Sequence, residues 1–166
     1  MTDVIFLAGA PGVGKSAVAK LLQGKLKTPL FEFGWIPEFR DKGGLEISYE
    51  EEEQISFENL TLVVKNYLKH AFKNIIVTDL EDKRIAELSK AFRGVDYKIF
   101  TLTIHDDETL KSRIMSSDRQ NDFRDLEKAV AINRRILGRP LFEAEVRIDT
   151  TVRSAQEICN EIMSSI

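Results

Sequence analysis

The chain has 166 residues, 43% hydrophobic and 31% charged, enough for one domain with a full core and too apolar for a disordered chain. Its net charge of −3 carries no overall bias toward nucleic acid or membranes. No apolar run approaches the ~18 residues of a membrane span, and the start Met1-Thr2-Asp3-Val4 lacks the basic region of a secretory signal. Cys159 alone excludes an internal disulfide and a Cys-built zinc site, and two histidines exclude a His-rich metal centre, which fits a reducing cytoplasm.

Apolar runs alternate with helical patterns along the whole chain. Val4 to Ala8 is a continuous β-prone run, the mark of a strand buried on both faces. Ser16 to Leu26 then places Val18, Leu21, Leu22 and Leu26 on one helical face. Pro29 to Phe33 reads as a short second strand ended by Gly34, and Asp41 to Glu46 as a loop around Gly43-Gly44. Ser48 with Glu51 forms a capping-box signature, opening a helix that carries Leu60, Val63, Val64, Tyr67, Leu68 and Ala71. Asn74 to Asp79 is a third strand, Ile85 to Phe92 a helix, and Tyr97 to Ile104 a fourth strand.

Asp106-Asp107 can cap a helix with Leu110 and Ile114, and polar Ser116 to Asp122 interrupts the pattern. A helix with Leu126, Ala129, Val130, Asn133 and Leu137 follows, stopped by Gly138 and Pro140. Val146 to Asp149 is a fifth strand, and Ser154 with Glu157 caps the last helix. Five strands separated by helices predict right-handed crossovers. The expected fold is a three-layer α/β domain over 1–166, with a mostly parallel sheet.

Gly9-Ala10-Pro11-Gly12-Val13-Gly14-Lys15-Ser16 matches the eight-residue phosphate-loop (P-loop) pattern at every required position, between a predicted strand and a predicted helix. The glycines let successive N–H groups turn inward around a phosphate, and the following helix aims its N-terminus at the same anion. Lys15 supplies a mobile charge for the β- and γ-phosphate oxygens, and the Ser16 hydroxyl is a Mg²⁺ ligand. The alternative, a glycine-rich turn with no ligand, does not require Lys15 and Ser16.

Two further features bear on such a site. Asp79 ends a buried strand, where an acid beside a phosphate loop holds Mg²⁺ directly or through water; a turn-capping Asp is the competing reading. From Lys111 to Arg139 there are eight bases against four acids. Arg113, Arg119 and Arg124 flank the polar interruption, so a lid over about 116–124 could close arginines over a transferring phosphoryl group. The competing reading for each arginine is a solvated helix face.

On these residues the chain resembles the small phosphate-loop kinases: nucleoside monophosphate, shikimate and gluconate kinases and related antibiotic phosphotransferases. The resemblance runs through the loop at 9–16, the acid-ended third strand, the helix leading from Leu110 to Arg119, and the closing strand with its capped helix. It implies the P-loop NTPase fold with sheet order 2-3-1-4-5. It also implies ATP and Mg²⁺ as cofactors, with transfer of the γ-phosphoryl group to a hydroxyl or phosphate of a small molecule.

It further implies that Thr151 and Val152 lie near the adenine, and that the acceptor lies over Phe33 to Arg40. Glu32, Trp35, Glu38 and Arg40 are then the candidate acceptor contacts, and Glu32, Glu38 or Asp79 the candidate proton acceptor. An aromatic cluster sealing the sheet edge is the plainer account of the same segment.

The departures narrow the substrate. Shikimate kinases carry Asp-x-Asp after the second strand, where this chain has Glu32-Phe33-Gly34. Nucleoside monophosphate kinases carry Asp-Gly-Phe-Pro-Arg after the third, where it has Asp79-Leu80-Glu81-Asp82-Lys83-Arg84. Two other functions compete: a nucleotide-binding regulatory module with little turnover, and a kinase of nucleic-acid 5′ ends. Eight acids between Glu38 and Glu58 weigh against nucleic acid, and the Asn-Lys-x-Asp motif of GTPases is absent.

Overall fold

β-branched and aromatic residues fill the central strands, and alternate side chains leave opposite faces of the sheet. In the first strand, β1 (Val4–Gly9), Ile5 and Leu7 join one core while Val4, Phe6 and Ala8 join the other. The computed structural model describes residues 2–37, 43–44, 46–116 and 124–166. After β1 come α1 (Lys15–Leu26), β2 (Leu30–Glu32), a 3₁₀ turn (Phe33–Trp35), α2 (Tyr49–Lys69) and β3 (Ile75–Thr78). Then follow α3 (Asp82–Ala91), β4 (Tyr97–Thr103), α4 (Asp107–Met115), α5 (Leu126–Gly138), β5 (Glu145–Asp149) and α6 (Ala155–Ser165).

All neighbouring strands pair in parallel, in the order β2-β3-β1-β4-β5. On one face α1, α4, α5 and α6 pack through Val18, Leu22, Leu110, Ile114, Ala129, Ile158 and Ile162. On the other, α2 and α3 pack through Phe57, Leu60, Val64, Ile85 and Leu88, with Phe92 edge-on to Phe6 at 5.2 Å. Each such Val, Leu, Ile or Phe side chain, fully buried, contributes about 1.5–3 kcal/mol. This is the three-layer P-loop NTPase fold. Among the described residues no helix is long and apolar enough to cross a membrane.

The structure shifts several boundaries: the third strand is Ile75–Thr78, leaving Asn74 and Asp79 outside it, and two more shifts bear on the site. Phe33 leaves the second strand, because Ile36 N–H donates to its carbonyl (3.1 Å) and closes a 3₁₀ turn that includes Gly34. α3 begins at Asp82 rather than near Ile85, although its N-cap residue Glu81 makes no side-chain cap. The register also sets the site: Thr78 at the end of β3 lies beside Leu7 of β1 and Glu32 of β2. Glu32, Asp79 and the loop after β1 therefore lie along the C-terminal edge of the sheet.

Candidate nucleotide and acceptor site

β1 delivers the 9–16 loop to that edge, and two of its glycines are required by their surroundings. A Cβ on Gly9 (φ +128°) would lie 2.3 Å from the Leu102 carbonyl oxygen of β4. A Cβ on Gly12 (φ +90°) would lie 2.7 Å from Ile114 of α4. The loop thus sits directly on its neighbours. Ala10 and Val13 are buried beneath it, Pro11 is partly exposed, and Gly14, also at positive φ, caps α1. Lys15 and Ser16 open the helix, Ser16 exposed.

The Lys15 ammonium curls back over the loop, donating to the carbonyls of Gly9 (2.8 Å) and Ala10 (3.1 Å). It also lies 3.7 Å from Asp79 Oδ1, with Lys15 largely enclosed and Asp79 half-exposed. Asp79 is the first residue beyond β3 and adopts φ +72°, a left-handed conformation that costs a non-glycine residue about 1 kcal/mol or more. Glu32 joins them from β2. Burial, then the negative charge of Asp79, raise its pKa above the ordinary carboxylate range, against the pull of Lys15 and Lys20.

A raised carboxylate pKa means that ionised Glu32 destabilises the fold. The cost sets in as pH rises above the ordinary carboxylate pKa and is fully present above the folded one. Glu32→Gln should therefore raise the melting temperature near neutral pH, by about 2–4 °C per kcal/mol relieved, and do so less at pH 4. Thermal unfolding at both pH values checks this, and a lower Tm for the variant at pH 7 would contradict it.

A second contact region lies across the loop. Arg113 of α4 donates to the carbonyls of Thr150 (2.7 Å) and Thr151 (3.1 Å) after β5. The buried Thr150 hydroxyl lies 3.1 Å from both the Val13 and Thr103 carbonyl oxygens, its one proton shared between them. Thr151 accepts from the His105 N–H (2.9 Å) and donates to Asp149, while Val152 is 92% exposed. The candidate base-side residues are thus tied to the phosphate loop through Thr150. Sequence reading missed that strut, since only a polar residue at a strand end hints at it.

The arginines divide. Arg134 pairs with Asp107, Arg124 lies exposed just before Asp125, the N-cap of α5, and Arg119 lies outside the described residues, as do 117–123 of the candidate lid. Glu38 and Arg40 also lie outside them. Trp35 is half-exposed on the 3₁₀ turn after Glu32. Arg84 takes no part in the site. Its guanidinium is buried and bonded to both Glu53 oxygens (3.1 and 3.0 Å), to Gln54 (2.7 Å) and to Glu87 (2.9 Å).

The chain is similar in fold to several solved structures, kinases among them. The Deinococcus radiodurans tunicamycin resistance protein aligns with a TM-score of 0.69 at 17% identity, covering 99% of this chain and 95% of that one. A gluconokinase from Sinorhizobium meliloti 1021 gives 0.67 at 18%, covering 98% and 90%. A shikimate kinase from Bacteroides thetaiotaomicron gives 0.60 at 16%, covering 98% and 97%. No sequence-family profile matches the chain, and no curated protein matches it by sequence.

Proposed function

We propose that the protein is an ATP-dependent phosphotransferase that moves the γ-phosphoryl group to a hydroxyl or phosphate of a small molecule. The observation that carries this reading is the meeting of Lys15, Asp79 and Glu32 at the C-terminal ends of three adjacent strands, beside the 9–16 loop. The fold shared with a gluconokinase and a shikimate kinase supports it. A cytoplasmic setting, where ATP is at hand, suits a chain whose one thiol is buried and free.

Loop amides and the α1 N-terminus bind the β-phosphate, and Lys15 leaves its carbonyl partners to follow charge onto the γ-phosphoryl group. Ser16 and Asp79 offer hard oxygen donors suited to Mg²⁺, which takes one or two protein oxygens and completes its shell with phosphate and water. Bound there, Mg²⁺ would supply charge neutralisation at the β- and γ-oxygens. Glu32, with its raised proton affinity, takes the acceptor's hydroxyl proton while the acceptor lies along the 3₁₀ turn near Trp35. From sequence position, Glu38 and Arg40 extend that acceptor side, and Arg119 and Arg124 close over the phosphoryl group. On the base side, Thr151 contacts the adenine.

ADP release should be screened over nucleosides, nucleotides, sugar acids and aminoglycoside-like alcohols, with Lys15→Ala as blank. Release that depends on one acceptor class and vanishes in the blank is the expected result. ATP binding without release for any class would favour a regulatory nucleotide-binding module.

A further inference from the structure

The turn from Asp79 to Asp82 joins β3 to α3 and holds Asp79 in a left-handed conformation beside Lys15. Thr78 is locked in the sheet and Leu80 is buried, so two anchors are accounted for. The third comes from far along the chain. Arg139, just past α5, donates from Nε and Nη2 to the two Asp82 carboxylate oxygens (3.0 and 3.1 Å). Its Nη1 and Nη2 also donate to Glu145 (2.8 and 2.9 Å), and Nη1 to the Pro140 carbonyl (2.8 Å). All five guanidinium N–H groups are thereby used.

The assembly is rigid as well as complete. The Glu145 side chain is fully buried, and those of Arg139 and Asp82 are each 14% exposed. Glu145 accepts further bonds from the Thr101 hydroxyl and the Phe142 N–H, and the Phe142 ring lies 4.0 Å from the guanidinium carbon. Burial alone would push the Glu145 carboxyl up, but its Arg139 and Thr101 bonds hold it below the ordinary range. α3 lacks a side-chain N-cap, and this clamp grips its first residue.

We propose that Arg139 is a positioning residue for Asp79. Anchored by Glu145, it holds Asp82 and thereby the turn that presents the Asp79 carboxylate to the phosphate loop. This rests on the reading of 9–16 and Asp79 as a Mg²⁺-nucleotide site. Outer-shell partners of metal-binding groups commonly change metal affinity by about 10–100-fold when removed, without touching the ligand.

The test is the affinity of a non-hydrolysable ATP analogue, measured with Mg²⁺ and with chelator, for the wild type, Arg139→Met, Asp82→Asn and Asp79→Asn. Thermal unfolding verifies that each is folded. Arg139→Met and Asp82→Asn should bind the Mg²⁺-free analogue within about twofold of wild type, yet lose about tenfold of the Mg²⁺-dependent gain. Adding Arg139→Met to Asp79→Asn should change that gain no further, because both act through one carboxylate.

A wild-type Mg²⁺ gain in the folded single variants would overturn the proposal while leaving the nucleotide-site reading intact. Failure of both to fold would also overturn it, since the clamp would then hold the domain rather than the turn. Absence of any Mg²⁺-dependent gain in the wild type would remove the underlying reading, and the proposal with it.

Discussion

Asp79→Asn is expected to lower the phosphoryl-transfer rate about a hundredfold or more while leaving Mg²⁺-free nucleotide affinity nearly unchanged. The carboxylate lies 3.7 Å from the Lys15 ammonium and half-exposed, and in the proposed function it holds the phosphate-bound cation. Amide in its place keeps the shape and removes the charge, so metal positioning is lost while the loop still cradles phosphate. A hundredfold corresponds to about 2.7 kcal/mol of transition-state stabilisation. Single-turnover ADP release on the best acceptor reads it directly. A rate within about threefold of wild type would reduce Asp79 to a turn residue.

Arg84→Met should be strongly destabilising. Arg84 is buried between α2 and α3, with both Glu53 oxygens bonded to it and the Phe57 ring 5.2 Å from its guanidinium carbon. Removing it leaves the buried Glu53 carboxylate unpaired, which costs about 3–5 kcal/mol. For a domain of this size the melting temperature falls by about 10 °C. The double variant Arg84→Met/Glu53→Leu should recover most of the loss, because two apolar side chains can replace a buried pair at little cost. Denaturant melts of both proteins separate the cases. A single variant within about 1 kcal/mol of wild type would show that the pair is not what holds the two helices together.

What could be read ahead was local. The 9–16 loop is contiguous and shows as a pattern, although the neighbours that require Gly9 and Gly12, Leu102 and Ile114, lie far along the chain. Buried strands such as Val4 to Ala8 announce themselves by composition, and the Ser154–Glu157 capping box forms as its spacing predicts. What stayed hidden depends on partners distant in sequence. Arg84 meets Glu53 across 31 positions and Arg139 meets Asp82 across 57, so neither commitment shows in a pattern. The start of α3 is equally hard to read, since Glu81 makes no side-chain cap and Asp82, its first residue, bonds to distant Arg139. Glu32 was legible as a candidate, but its raised pKa depends on burial and then on Asp79, brought near by the β2–β3 pairing.

The proposed function stands on the 9–16 loop binding a nucleoside triphosphate. Calorimetric titration of a non-hydrolysable ATP analogue with Mg²⁺ into the wild type and Lys15→Ala tests it most directly. Lys15 is the one charged side chain of the loop, and it lies over the loop carbonyls within reach of any phosphate seated there. The expected result is saturable one-to-one binding to the wild type and affinity weakened about tenfold or more in the variant, a loss of at least ~1.4 kcal/mol. Equal affinity in the two proteins would contradict it.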